Sequence, residues 1–170
     1  KSMKDLGHPY KGFLYAGLMI SKNEPFLIEY NIRMGDPECQ VLMMRLNTDL
    51  FEIINCALEN KLNNLKITWN KKSCITIVLC ANGYPSSYVK NKEIKNLSKI
   101  SNDKDSQIFH AGTYIEDNKI FSIGGRVLNI TSSSEKLSSA RDKAMTTINK
   151  INWTDGFFRK DIGWRVINKK

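Results

Sequence analysis

The sequence is poor in the residues that build compact zinc or disulfide sites. It has two histidines and four cysteines, and no pair of cysteines has the Cys-x-x-Cys spacing. A structural zinc site needs ligands at close spacing, so this class of site is excluded. We expect the cysteines to be reduced residues of a cytosolic protein, because free cysteine is most often buried. They are Cys39, Cys56, Cys74 and Cys80.

Long apolar runs and a secretory leader are also missing. No apolar run reaches the ~18 residues needed to cross a bilayer. The first residues, 1–5, are Lys-Ser-Met-Lys-Asp and contain no apolar signal core. We therefore expect a cytoplasmic protein without a membrane partner. Since Met3 is internal, we also expect the sequence to be a fragment of a longer protein.

Acidic residues are fewer than basic ones, and the net charge is +9 from 26 basic and 17 acidic residues. A basic protein of this kind can bind nucleic acid, so a nucleic-acid-binding module is one alternative. However, the lysines are spread along the chain and do not form a stripe interleaved with aromatic residues. We therefore predict no nucleic-acid partner, and a dispersed positive charge also suits an enzyme of phosphorylated substrates.

The first half begins with a predicted β-hairpin. The apolar runs Phe13–Ile20 and Phe26–Ile32 are typical of strands, and a five-residue polar connector separates them. Gly35-Asp36-Pro37 then ends the second strand, and a helix is predicted over Glu38–Arg45. A second helix is predicted from Leu50 to about Asn60, with an N-terminal cap at Thr48-Asp49 and an acid at Glu52.

The second half is predicted to be a small α+β unit. One apolar strand, a long charged loop, three short strands and a final amphipathic helix follow each other. A polar, lysine-rich and asparagine-rich stretch precedes them, so we place the domain boundary between residues 64 and 65. The predicted elements are Cys74–Ala81, the loop Ser86–Asp105, the strands Gln107–Tyr114, Lys119–Ile123 and Arg126–Ile130, and the helix Ser134–Ile151.

The second predicted strand carries polar side chains at every other position. Because side chains alternate between the faces of a strand, Glu29, Asn31 and Arg33 are expected to share one face. Carboxylate and amide oxygens suit a hard cation such as Mg²⁺, and a nearby arginine can bind a phosphate. The spacing alone favours an ordinary half-exposed strand with a solvated polar face, because such alternation is common. The motif is too short to establish a metal site by itself.

The surrounding sequence, from Tyr10 to Gln40, resembles the end of the ATP-grasp domain in the glycinamide ribonucleotide synthetase (phosphoribosylamine–glycine ligase) family. The shared features are a Tyr-x-Gly-x-Leu-Tyr-Ala-Gly-Leu-Met strand, an Ile-Glu-x-Asn-x-Arg strand and a Gly-Asp-Pro-Glu turn. The resemblance continues in order to the end of the chain. The downstream motifs are Asn82-Gly83-Tyr84-Pro85, His110-Ala111-Gly112-Thr113, Gly124-Gly125-Arg126-Val127-Leu128-Asn129 and Arg159-Lys160-Asp161-Ile162-Gly163-Trp164.

The resemblance implies a fold, an activity and site residues. Residues 1–64 would be the end of an ATP-grasp domain of antiparallel strands plus helices, and residues 65–170 a C-terminal α+β domain. The family joins glycine to 5-phosphoribosylamine with ATP through a glycyl phosphate, in purine biosynthesis. The resemblance implies that Glu29 and Asn31 bind Mg²⁺ or Mn²⁺. It also implies that Arg33 and Asp36 are catalytic and that Glu38 binds substrate.

The same resemblance implies that the N-terminal and most ATP-grasp portions of the enzyme precede Lys1. The 170 residues alone are then expected to have no ligase activity. One departure from the family pattern is Cys39, where the family usually has threonine. A second point is an absence, because the strand Phe13–Ile20 lacks the further acidic metal ligand that many ATP-grasp enzymes carry on the preceding strand. The alternatives are another ATP-grasp carboxylate–amine ligase or a non-catalytic remnant.

Overall fold

A computed structural model describes residues 2–100 and 104–167 of the protein. The chain folds into two compact units, the first of residues 1–39 and 46–70 and the second of residues 40–45 and 71–170. The predicted domains, 1–64 and 65–170, stay predictions, and their residues 1, 101–103 and 168–170 lie outside the described part. Within that part, no helix has the length and apolarity to cross a membrane.

The first unit contains the predicted hairpin. Strands β1 (Tyr15–Ser21) and β2 (Glu24–Asn31) pair in antiparallel fashion. Lys22 and Asn23 form the turn with φ angles of 51° and 64°, as the tight two-residue turns of hairpins require. The turn is shorter than the predicted connector because Glu24 pairs with Ser21 and extends the ladder.

Short helices make up the rest of this part of the chain. Helix α1 covers Ser2–Asp5, α2 covers Glu38–Arg45 as predicted, and α3 covers Leu50–Leu58. The Asp49 side chain caps α3 by accepting hydrogen bonds from the backbone of Phe51 at 2.7 Å and Glu52 at 3.3 Å. This confirms the predicted cap. The helix ends two residues before the predicted Asn60, and a 3₁₀ turn follows at Leu62–Asn64.

The second unit is built on a four-stranded antiparallel sheet. Its strands are β3 (Ser73–Ala81), β5 (Ser106–His110), β8 (Arg126–Ser134) and β9 (Gly156–Phe157), in the spatial order β5-β8-β3-β9. Helix α4 (Leu137–Ile148) packs on the two central strands, and a short helix α5 covers Trp164–Ile167. The buried apolar core lies in this unit and includes Ile77, Leu79, Leu128 and Ile130. The α+β prediction is therefore confirmed.

A second sheet corrects two predictions. It consists of β4 (Lys92–Ile94), β6 (Thr113–Glu116) and β7 (Lys119–Ser122), in the spatial order β4-β7-β6. The stretch Gln107–Tyr114 is two strands in different sheets, because the chain turns at Ala111-Gly112. The predicted loop Ser86–Asp105 contains a strand and the 3₁₀ turn Leu97–Lys99, and its residues 101–103 lie outside the described part.

Strand β8 is longer than predicted because its second half is buried but polar. Thr131 donates a hydrogen bond to Thr76 at 2.8 Å, and the hydroxyls of Ser132 and Ser106 lie 2.9 Å apart. Paired hydroxyls can be buried at little cost. The polar run Thr131–Ser134 therefore continues the strand, although its composition is typical of a loop.

Candidate functional site

Glu29 and Asn31 lie together at the end of β2. The Asn31 amide nitrogen donates a hydrogen bond to Glu29 Oε1 at 3.0 Å. A bulge between Gly17 and Leu18 in the ladder interrupts the strict alternation predicted for the strand. Glu29 and Asn31 are on the same side of that bulge, so they share one face of the hairpin as predicted.

Glycine on the neighbouring strand makes room for the Glu29 side chain. Gly17 is the register partner of Glu29, and a Cβ atom at Gly17 would lie 3.0 Å from Glu29 Cγ. The carboxylate stem therefore lies across β1 at a place where most side chains would crowd it. Tyr15 is the register partner of Asn31, so its side chain is on this same face.

Arg33 is not on the strand, contrary to the sequence prediction. Strand β2 ends at Asn31, and Arg33 lies in the bend that follows. Its guanidinium donates a hydrogen bond to the carbonyl oxygen of Met34 at 2.9 Å. A bend at Ile32 and Arg33 follows the strand, and the turn at Asp36-Pro37 then leads into α2. Arg33 is nevertheless exposed and close in sequence to the Glu29–Asn31 pair.

Asp36 and Glu38 lie around the start of α2. Both are exposed, Asp36 in the turn and Glu38 as the first helical residue. A negative charge in the first turn of a helix interacts favourably with the unpaired backbone N–H groups there. The turn therefore holds two carboxylates a few residues after the end of β2.

Tyr15 is a site residue that sequence reasoning missed. Its hydroxyl donates a hydrogen bond to Glu38 Oε1 at 3.2 Å. The negative charge of Glu38 is the main cause that raises the pKa of Tyr15 above its usual value, and the charge of Glu29 adds to it. The residue belongs to an apolar run, and such a tyrosine is normally interpreted as a packing residue. Only its contact with Glu38 reveals the polar role.

The pair Glu29–Asn31 fits a cation that also binds other ligands. In the described part of the chain, no group of three or more His, Cys, Asp or Glu residues is arranged to hold a metal. Mg²⁺ commonly takes only one or two protein ligands and completes its shell with water and phosphate oxygens. The residues are thus suited to a metal–nucleotide complex rather than to a closed metal cage.

The two departures from the family pattern have separate structural settings. Cys39 is half-buried, and its Sγ lies 3.2 Å from the Met34 sulfur. Its side chain packs inward. The absence of the threonine hydroxyl at this position therefore does not change the face that carries Glu29 and Asn31. Strand β1 contains no acid, and any further carboxylate ligand must come from outside Tyr15–Ser21.

In the second unit, the motifs that contain Gly112, Gly124 and Gly125 pack closely against one another and against Tyr84. A Cβ atom at Gly112 would lie 2.5 Å from Gly124 Cα, and one at Gly125 would lie 2.2 Å from the Tyr84 ring. The His110 imidazole Nδ1 is 3.0 Å from the Thr113 hydroxyl. These contacts explain the motifs as packing features of the sheet ends.

Two family models match the chain. Residues 1–39 match the ATP-grasp (A) domain of phosphoribosylglycinamide synthetase, and residues 74–165 match the C domain of the same enzyme. The hairpin with Glu29 and Asn31 thus lies in the first match. The four-stranded sheet lies almost wholly in the second.

Several relatives carry one and the same enzyme name. A phosphoribosylamine–glycine ligase of Brucella melitensis is 43% identical over 170 residues, which are 100% of this chain and 40% of the relative. A chloroplastic one of Arabidopsis thaliana is 44% identical, over 100% of this chain and 33% of the relative. The crystal structure of the Thermotoga maritima ligase has a TM-score of 0.72 and 33% identity, over 94% of this chain and 39% of that one. The chain thus spans 33–40% of the length of these three proteins.

Proposed function

The chain belongs to the phosphoribosylglycinamide synthetase family, and we propose that it forms one wall of the site where such an enzyme joins glycine to 5-phosphoribosylamine with ATP. The observation that carries this is the Glu29–Asn31 pair on the exposed face of the hairpin. In the proposed reaction, the glycine carboxylate attacks the terminal phosphate of ATP and releases ADP. The amine of 5-phosphoribosylamine then displaces phosphate from the glycyl phosphate.

Five residues have roles in this proposal. Glu29 and Asn31 would hold Mg²⁺ or Mn²⁺, which would supply positive charge to the nucleotide phosphates. Asn31 would bind the metal through its amide oxygen and not through the nitrogen that donates to Glu29. Arg33 would bind a phosphate oxygen in place of the Met34 carbonyl. Asp36 and Glu38 supply carboxylates to the side where the amine substrates enter.

The exposed apolar surface of the hairpin supports the proposal that the rest of the enzyme is a partner of this chain. Ile28 and Tyr30 are 63% and 61% exposed, and Leu18, Met19, Ile20, Phe26 and Leu27 are exposed as well. An exposed apolar surface of this kind normally marks an interaction site. We propose that the ATP-grasp portion outside this chain covers it and supplies the remaining ATP contacts. The cytoplasmic location stays a prediction.

A hybrid enzyme tests the proposal. In the hybrid, this chain replaces the matching segment of the Brucella melitensis ligase, and glycine-dependent ADP release is measured. Glu29→Gln should lower kcat/KM by ~100-fold, because even the outer-shell partners of metal ligands typically matter by roughly 10- to 100-fold. Glu24→Gln, at the far end of the same strand, is the matched control and should keep most activity. Equal activity of both variants would show that Glu29 is not a metal ligand.

A further inference from the structure

We propose that Tyr15 is a positioning residue, which together with Gly35 fixes the Glu38 carboxylate on the face of the hairpin that carries Glu29 and Asn31. The inference rests on the proposed function, because it treats Glu38 as the group that meets the amine substrate. It adds a residue outside the five assigned above. It also proposes the class of ligand that Glu38 binds, which is a primary amine.

The first observation is the hydrogen bond across the site. The Tyr15 hydroxyl reaches Glu38 Oε1 at 3.2 Å, although the two residues are 23 positions apart. Tyr15 is half-buried, and it pairs in register with Asn31. A short strand thus places a phenol between the end of β2 and the start of α2. The exposed Glu38 side chain is therefore held by a contact from outside its own helix.

The second observation is the absence of a side chain at Gly35. A Cβ atom there would lie 2.4 Å from Glu38 Oε2 and 2.9 Å from Tyr15 Cε2. Gly35 is buried, and its carbonyl oxygen accepts the hydrogen bond from the Cys39 backbone at 3.0 Å. The phenol ring and the carboxylate therefore both rest on this backbone. Any larger residue would have to displace one of them.

The chemistry of the pair favours an amine ligand. An ionised carboxylate offers about four acceptor positions, and Tyr15 occupies only one of them. The remaining positions of Glu38 can accept hydrogen bonds from a primary amine or ammonium group. The phenol donates a hydrogen bond without adding charge, so it orients the carboxylate while leaving its negative charge available to a cation.

A side-chain resonance of the 170-residue chain tests the contact itself. In a chain with ¹³C-labelled tyrosine, Tyr15→Phe assigns the Cζ resonance of Tyr15. Glu38→Gln should shift that resonance at neutral pH, because it changes the acceptor of the phenol hydrogen bond. The Cζ resonance of Tyr114, which stacks on Phe121, should stay in place and is the reference. A Tyr15 resonance that Glu38→Gln leaves unchanged would overturn the proposal.

Kinetics of the hybrid enzyme test the positioning role. Tyr15→Phe should raise KM for one of the two amine substrates by roughly three- to tenfold, which is less than the effect of losing a direct hydrogen bond to a charged group, because Tyr15 acts only through Glu38. KM for ATP and kcat should stay within about twofold, as expected when ground-state and transition-state binding weaken together. Gly35→Ala should raise the same KM more than Tyr15→Phe does. Tyr114→Phe is the control.

The two possible failures can be told apart. If the unsubstituted hybrid folds and shows no glycine-dependent ADP release, the proposed function is wrong. If that hybrid is active and Tyr15→Phe leaves both amine KM values unchanged, only the positioning role is wrong. A rise in KM for ATP equal to that for the amine would also contradict it, because it would indicate a general distortion of the site.

Discussion

The hairpin β1–β2 and the sheet around β3 and β8 use similar residues in opposite ways. Both are antiparallel and contain several isoleucine and leucine side chains. Ile77 and Ile130 in the sheet are 1% and 0% exposed, whereas Ile28 in the hairpin is 63% exposed. Helix α4 covers the sheet. The difference shows that apolar composition marks a surface to be covered, but not where the covering element comes from.

The largest expected effect comes from cutting a buried side chain of the sheet. Ile130→Ala should lower the free energy of unfolding of the second unit by about 2–5 kcal/mol, because it leaves a cavity between β3, β5 and β8. Urea unfolding followed by amide resonances of β3 measures it. The matched change Ile28→Ala should cost no more than about 0.5 kcal/mol in this chain. Similar losses in both variants would remove the contrast between the two regions.

The next effect compares two glycines. Gly125→Ala brings a Cβ atom to 2.2 Å from the Tyr84 ring, and it should cost about 1–3 kcal/mol through overpacking. Gly17→Ala in the hairpin meets only the flexible Glu29 stem at 3.0 Å. It should leave the free energy of unfolding nearly unchanged and weaken Mn²⁺ binding to the hybrid enzyme. Urea unfolding measures the loss of stability in each variant. A titration with Mn²⁺ measures metal binding by the hybrid enzyme.

A smaller effect is expected at the cap of α3 in the first unit. Asp49→Ala removes the acceptor for the Phe51 and Glu52 backbone N–H groups. The loss should be about 1 kcal/mol. Amide exchange in Leu50–Leu58 measures it, with Glu59→Ala, an exposed partner of Lys61, as the control. If both variants behave alike, the cap does not stabilise the helix.

The smallest effect is a pH dependence in the second unit. The hydrogen bond from Lys72 at 2.7 Å, with a further one from Ser133 and the charges of Lys72 and Lys143, lowers the pKa of Asp105. The stabilisation is therefore fully present above the unfolded pKa of about 3.9 and is lost as pH falls through the lower folded pKa. Its size should stay below about 1 kcal/mol because the pair is partly solvated.

Asp105→Asn tests that pH dependence. The variant should be less stable than the unsubstituted chain at neutral pH, and the difference should shrink on acidification. Urea unfolding at several pH values measures it. Asp117→Asn, at an exposed turn between β6 and β7, is the control. If the difference in the free energy of unfolding between Asp105→Asn and the unsubstituted chain grows as pH falls, the predicted pH dependence is wrong.

Local signals in the sequence were enough for the hairpin and for helices α2 and α3, whereas the short helix α1 was not predicted. Side-chain alternation placed Glu29 and Asn31 on one face, and the bulge left that arrangement intact. The capping residue Asp49 was predicted from its type and position alone. These features depend on neighbours in the sequence, so periodicity and capping rules describe them well.

The features that were missed depend on contacts between distant residues. The bond between Tyr15 and Glu38 joins two elements, and nothing in the run Phe13–Ile20 indicates it. The polar end of β8 is a strand only because Thr76 and Ser106 supply partners for its hydroxyls. At the turn, the Gly112 backbone lies against the backbone of Gly124, which is twelve positions away. Sequence periodicity contains no information on such pairs.

Amide hydrogen exchange of β2 tests the central claim most directly, that the hairpin is one wall of a metal–nucleotide site completed by the rest of the enzyme. In the isolated chain, we expect β2 to exchange faster than β3 and β8. In the hybrid enzyme β2 should be protected, and Mg²⁺ with ATP should protect it further unless Glu29→Gln is present. Exchange in β2 that is the same in the isolated chain and in the nucleotide-loaded hybrid would contradict the claim.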